Sequence, residues 1–333
     1  MCYYQFLVHV KCITFNHASY IIDTMDGFCA QKTTFPFICT IFDDNSTDGE
    51  QGAIKQYLED NFDLDDASMG RNEETDDYVL IFARHKTNKN CFYAVYFLKY
   101  NHYSIGKGYR KLDYCKELVE HAPYVALCEG DDYWTNPLKL QKQVDYLEKH
   151  PDYSMCFHKA KIQDIRKKNN LIVNFSDIKD GDYTSNDVLS RWLVPTASIV
   201  GRTAIQKRMR IKGKYRPWAT DIFYILNFGE YGILRGFEKE MSVYRIHDGG
   251  QSNRNISAET WVEHYKCLRY NFHSLDKKVI DAKISMSLYW VYKGNSSFFK
   301  RIKALFEAVY INPRYVIMHI LKNYYVRYIV GQQ

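Results

Sequence analysis

Apolar positions along the first third of the chain switch between two periods. "QFLVHVKCITFNH" (Gln5–His17) is a nearly continuous apolar run that stops at Thr-Phe-Asn-His, which predicts a buried first strand. Ser19–Lys32 then places Tyr20, Ile21, Met25, Phe28 and Cys29 at helical spacing. "FPFICTIFDDNSTDG" predicts a second strand entering a turn rich in Asp, Asn, Ser and Gly, and "AIKQYLEDNF" predicts a second helix. Strands and helices alternating across short connections form the βαβ pattern of a parallel sheet. Residues 60–77 are acidic and weakly patterned and read as a surface insertion before a third strand at Tyr78–Ala83. The stretch 84–100 reads as a second insertion. "GYRKLDYCKELVEHA" is helical, and "YVALCEGDDYW" is a buried strand ending in carboxylates. A helix follows over 136–149 with Pro137 near its first turn, then a strand, "DYSMCFHKAKI". Val173–Tyr244 mixes short strands and helices.

Past Asn271 the pattern turns helical and basic. Phe298, Phe299, Ile302, Leu305, Phe306 and Val309 share one face. After Pro313, Ile317, Ile320, Leu321, Tyr324 and Tyr328 share a face over Tyr315–Val330, with Lys322 and Arg327 interrupting it. No run reaches the ~18 uninterrupted apolar residues of a membrane-spanning helix. Two readings stay open for this segment, an interfacial amphipathic pair and a helical cap. Charge sharpens the contrast: from Thr260 onward there are 12 Lys and Arg against 4 Asp and Glu, and the rest has 33 against 35. A near-neutral body with a basic, aromatic tail points to an anionic surface as partner. The expected domains are 1–255 and a C-terminal helical extension, 256–333. Nine scattered cysteines without a CxxC pair, and no charged leader before the first strand, predict a cytoplasmic protein.

The chemistry concentrates in "LCEGDDYW". A buried strand delivers Glu129, Asp131 and Asp132 to its C-terminal end, where open α/β sheets bind ligands. Carboxylates this close repel one another unless a cation neutralises them, and their oxygens suit Mg²⁺ or Mn²⁺. A polar loop with a helix-capping Asp is the competing reading. "FDDNSTDG" puts Asp43 and Asp44 at the end of another strand, able to accept from a ribose hydroxyl or a base N–H. A nucleic-acid polymerase palm also displays Gly-Asp-Asp, but within a hairpin; here Pro137 and a helix follow, so nucleic acid is not an expected partner.

Taken in order, "ITFNH", "FDDNSTDG" and "ALCEGDDYWTNPLKLQKQVDYLEKHPDYSMCFH" resemble glycosyltransferase family 2, and within it the bacterial enzymes that build surface polysaccharides. The resemblance covers 6–50 and 100–160, is fainter over 190–252, and is absent from the basic tail. It implies a GT-A, Rossmann-like mixed sheet flanked by helices. It also implies an inverting transfer from a UDP- or GDP-type sugar donor to a glycan or lipid-linked acceptor, with Mn²⁺ or Mg²⁺. By position, Thr14, Phe15 and Asn16 border the nucleotide. Asp43 or Asp44, with Ser46 nearby, reads base and ribose. Glu129, Gly130, Asp131 and Asp132 match the element that holds diphosphate and metal. "WATDIF" makes Asp221 the candidate base, and "YRIHDGGQSN" places Arg245 and His247 at phosphate or metal. Arg84 is the candidate donor-side arginine. The chain departs from the family pattern with Glu129 in place of the first Asp and Thr220 before Asp221. Those departures define the alternative, a non-catalytic nucleotide-sugar or carbohydrate binder. The inner leaflet of the membrane is a further expected partner, through the tail.

Overall fold

The computed structural model describes residues 5–65, 72–166, 175, 177–250, 256–294 and 297–318. In chain order it begins β1 (Val8–Thr14), α1 (Ile21–Cys29), β2 (Phe37–Asp43), α2 (Glu50–Asn61), β3 (Phe62–Asp63), β4 (Glu73–Glu74) and β5 (Tyr78–His85). Next come β6 (Cys91–Leu98), α3 (Arg110–Val119), β7 (Tyr124–Leu127), β8 (Tyr133–Trp134), α4 (Lys139–Lys149), β9 (Tyr153–Asp164) and β10 (Gly181–Tyr183). The remainder is α5 (Ser185–Arg191), β11 (Val200–Arg202), α6 (Thr203–Gln206), α7 (Thr220–Tyr231), β12 (Ile233–Ile246), α8 (Ala258–Asn271), α9 (Lys277–Gly294) and α10 (Phe298–Ile311). Two compact units result. The first comprises Met1–Tyr183, Trp192–Lys207 and Tyr231–Gly249; the second comprises Thr184–Arg191, Arg208–Glu230 and Gly250–Gln333.

The first unit holds one mixed sheet in the order β10-β12-β9-β11-β7-β1-β2-β6-β5-β3, with β4 on β5 and β8 on β12. β7, β1, β2 and β6 run parallel in its centre. These strands are buried on both faces, which is why they read as continuous apolar runs rather than alternating ones. That rule also explains a long strand that the sequence hides. The stretch 84–100 is no insertion: "CFYAVYFL" is β6, buried throughout and paired between β2 and β5. A strand covered on both sides has no polar alternation to reveal it. Tyr93 in this strand donates to the Met25 carbonyl at 2.6 Å, so its phenol is satisfied inside the core. The eight described cysteines are free thiols, seven of them buried.

The second unit is helical among its described residues. Trp218 and Trp261 meet edge to face, and Phe223 and Phe272 meet at a tilt. Residues 313–318 are helical, whereas the expected face at Ile320, Leu321, Tyr324 and Tyr328 lies outside the described residues.

Candidate active site

The site is built at the carboxyl edge of β1, β2 and β7. Parallel pairing aligns Thr14 with Asp43, and β7 ends beside Lys11, so all three loops leave the sheet together. Hydrogen bonds from Cys128 N–H to the Lys11 carbonyl and from Gly130 N–H to the Ile13 carbonyl hold the acidic loop against β1. Gly130 is required here: a Cβ would lie 2.1 Å from the Thr14 hydroxyl oxygen. From below, the Thr24 hydroxyl donates to the Asp132 carbonyl at 2.6 Å.

The turn after β2 is locked by side chains. Asn16 has a left-handed backbone (φ 57), and its amide oxygen accepts from Thr47 N–H while its own N–H donates to the Ser46 hydroxyl at 2.8 Å. Gly49 (φ 94) lets the chain enter α2. Behind this turn sits Glu50, fully buried, which accepts from the Thr14 hydroxyl, the Ser46 hydroxyl (2.8 Å) and the His17 backbone N–H (2.9 Å).

The two aspartates of "FDDNSTDG" separate in role. Asp44 accepts from the backbone N–H groups of His102 (2.8 Å) and Tyr103 (3.1 Å) and pairs with the Lys111 ammonium at 2.9 Å. Asp43 accepts from Ser46 N–H and Gln51 through Oδ1, while its buried Oδ2 has no partner among the described residues. Burial raises the Asp43 carboxyl above its ordinary pKa, against the hydrogen bonds from Ser46 and Gln51. Phe15 is exposed beside the turn.

The acidic motif divides as well. Asp131 Oδ2 lies 3.1 Å from His247 Nε2 and 3.9 Å from His17 Nε2, and the three ligand atoms fall within 4.8 Å of one another. Asp132 is buried outside that triad, its Oδ1 accepting from Arg245 N–H at 2.9 Å. Burial, and then the neighbouring Asp131 charge, push the Asp132 carboxyl well above the usual range. Burial also opposes charge on Asp131, but its hydrogen bond to His247 and the nearby His17 bring the net shift below the ordinary value. Glu129 is exposed. The Arg245 guanidinium stacks 4.3 Å from the Tyr133 ring centroid, pairs with Asp23 and donates to the Asp131 carbonyl.

His17 was not among the residues picked out by sequence, and its geometry is informative. Thr14 spends its proton on Glu50, so its oxygen, 3.2 Å from His17 Nδ1, accepts from that nitrogen. The proton is thereby fixed on Nδ1, and the Nε2 lone pair faces the Asp131 carboxylate. Burial lowers the His17 pKa despite Asp131, which favours the neutral ring. Two imidazoles and a carboxylate converging in this way fit a divalent transition metal, because a lone pair facing an anion is favourable only with a cation between them. The only sequence hint was the His that ends "TFNH".

Arg84 is not brought to this edge. On β5 it pairs with Phe92, level with Ile38, whereas Asp43 is level with Phe97 and Val79. Five residues of strand, about 16 Å, separate the two levels, because β5 runs antiparallel to β6. Asp221 belongs to the second unit, in the first turn of α7; its carboxylate accepts from Ile222 N–H at 2.8 Å, and burial raises its pKa.

No protein-family model matches the chain. Uncharacterized proteins of Mycobacterium tuberculosis and Mycobacterium bovis are 34% identical over 152 residues, which is 45% of this chain and 34% of theirs. The chain therefore spans about a third of the length of these relatives. Among solved structures, Staphylococcus aureus TarS 1-349 in complex with UDP-GlcNAc superposes with TM-score 0.56 at 17% identity, covering 93% of this chain and 82% of that one. The complex of the same protein with UDP gives TM-score 0.56 at 16% identity and the same coverage. The large mixed sheet flanked by helices is thus a GT-A-like fold, shared with TarS.

Proposed function

We propose that this protein is a metal-dependent, inverting glycosyltransferase that moves a sugar from a nucleoside-diphosphate donor to a hydroxyl of a glycan or lipid-linked acceptor. The observation that carries this reading is the convergence of His17, Asp131 and His247 on one point at the carboxyl edge of the sheet, where such folds bind ligands. TarS, of like fold, holds UDP-GlcNAc, which supports a nucleotide-sugar donor of that general kind.

In this reading Asp43 Oδ2 accepts from base or ribose, with Thr14, Asn16 and Ser46 shaping the turn around it. A divalent ion held by His17, Asp131 and His247 would bind the diphosphate and offset the negative charge that grows on it as the leaving group departs. Two imidazole ligands favour Mn²⁺ over Mg²⁺, which prefers an all-oxygen shell. Arg245 ties the acidic loop to Asp23. Asp132, in place of a metal ligand, braces the loop by its bond to the Arg245 backbone. Asp221 is the proposed base: a carboxyl raised by burial accepts the acceptor's proton more readily than an ordinary one. The acceptor would be met at the inner face of the membrane.

A thermal-shift panel with UDP and GDP, each with and without Mn²⁺, on wild type and Asp131→Ala tests the reading. A Mn²⁺-dependent rise in Tm that disappears in the variant is expected, since ligands binding the folded state stabilise it by mass action. No shift with either nucleotide would refute nucleotide binding. A shift without sugar transfer from any donor would instead identify a non-catalytic binder.

A further inference from the structure

Helix α10 packs the opposite way from a helical cap. Its buried positions are the small residues Ala304 and Ala308, and the Ser285 hydroxyl of α9 donates to the Ala308 carbonyl at 3.2 Å. The large side chains point outward: Phe299 is 83% exposed, Phe306 73% and Tyr310 89%. Their spacing of seven and four residues puts them in one stripe of α10. A helix that buries alanine and offers aromatics to solvent is built to receive an apolar surface.

Charge decides which surface. Lys300 and Lys303 are exposed on α10 itself, and Arg314 is exposed three residues past its end. The single acid between 297 and 318, Glu307, is paired with Lys266 of α8. The exposed face is therefore aromatic at its centre and purely basic at its flank. Protein interfaces are depleted in Lys, which argues against a second copy of the chain. Anionic headgroups above an acyl boundary match both features at once. No helix among the described residues is long and apolar enough to cross a membrane.

We infer that the outward face of α10, centred on Phe299, Phe306 and Tyr310 and flanked by Lys300, Lys303 and Arg314, docks the protein onto an anionic phospholipid bilayer. This deepens the placement of the acceptor at a membrane and rests on the transferase reading only for that purpose; the docking itself needs no catalysis.

Flotation of the full chain with vesicles of phosphatidylglycerol and phosphatidylcholine, against phosphatidylcholine alone, is the test. The wild type should prefer the anionic vesicles. Phe299→Ser/Phe306→Ser/Tyr310→Ser should lower binding about tenfold or more. Lys300→Gln and Lys303→Gln should each cost about fivefold on anionic vesicles only. All these positions are exposed, so circular dichroism should show intact folding, and Ile165→Ser, an exposed apolar change in the first unit, should bind like wild type. Unchanged binding by the triple variant overturns the inference. So does a wild-type dimer that this variant dissolves without any vesicle binding, since a second copy would then cover the face. Asp131→Asn should float as wild type does. Flotation without Mn²⁺-dependent nucleotide binding would keep the docking and refute the transferase, and the reverse result would do the opposite.

Discussion

Asp43-Asp44 at the end of β2 and Asp131-Asp132 after β7 look interchangeable in the sequence, yet each doublet splits in the same way. One member is consumed by the scaffold: Asp44 by two backbone N–H groups and the Lys111 ammonium, Asp132 by the Arg245 N–H. The other keeps an oxygen for the site: Asp43 with an unpartnered Oδ2, Asp131 with two imidazoles. In both doublets it is the second residue, Asp44 or Asp132, that turns back to the scaffold and the first that faces the edge. Each acidic pair thus holds a brace and a carboxylate left free for the proposed ligand, and mutating either member tests which is which.

The largest effect should come from a brace. Asp44 and Lys111 are 2% and 6% exposed in side chain, and Asp44→Ala would leave the ammonium and two backbone N–H groups without their acceptor. Breaking a buried pair from one side costs about 3–5 kcal/mol. Urea denaturation should show that loss, and Asp43→Ala should show far less. Equal stability of the two variants would abolish the distinction.

Asp131→Asn should act on function instead. Turnover should fall about 10²–10³-fold, the scale of removing a group that supports transition-state charge, while Tm stays near wild type. Asp132→Asn should change little: the isosteric amide still offers an oxygen to the Arg245 N–H, so Tm stays near wild type and activity within about tenfold of it. If Asp132→Asn also loses Mn²⁺ binding, Asp132 is a ligand after all.

How far this was legible from the sequence follows the same line. The strand-helix order, the sheet edge and both doublets could be read because local period and strand ends are local properties. Strand β6 could not, since burial on both faces erases its alternation. Arg84 looked like a site residue until the antiparallel course of β5 placed it at the far edge, and strand direction is set by long-range pairing. His17 and Glu50 were missed for a related reason. Their roles depend on contacts across 114 and 36 residues respectively, which no spacing rule reports. Lys139 makes the same point: nothing in "PLKLQK" announces that this lysine is fully buried over the Trp134 ring at 4.1 Å.

Asp43→Asn sharpens the ligand side of the comparison. If Oδ2 accepts from the nucleotide, an amide there presents a donor to a donor. UDP or GDP affinity should fall about ten- to a hundredfold by calorimetry, the worth of a hydrogen bond to a charged group. Mn²⁺ binding in the absence of nucleotide should not change. A variant that binds nucleotide normally would remove Asp43 from the site.

Glu50→Gln gives the smallest expected change and probes the link between turn and triad. The carboxylate accepts from Thr14, Ser46 and the His17 backbone, and an amide can accept on only one of its two atoms. With nitrogen toward Thr14, the hydroxyl proton turns to His17 Nδ1, and the imidazole proton moves to Nε2, where it blocks a metal. With nitrogen toward the His17 N–H, donor meets donor and the ring is displaced. Either arrangement should weaken Mn²⁺ about tenfold, the lower end for residues that orient a ligand, and Asp131 remains in place to bind it residually. A merely structural Glu50 would lower Tm and leave Mn²⁺ affinity alone, so measuring both separates the two roles.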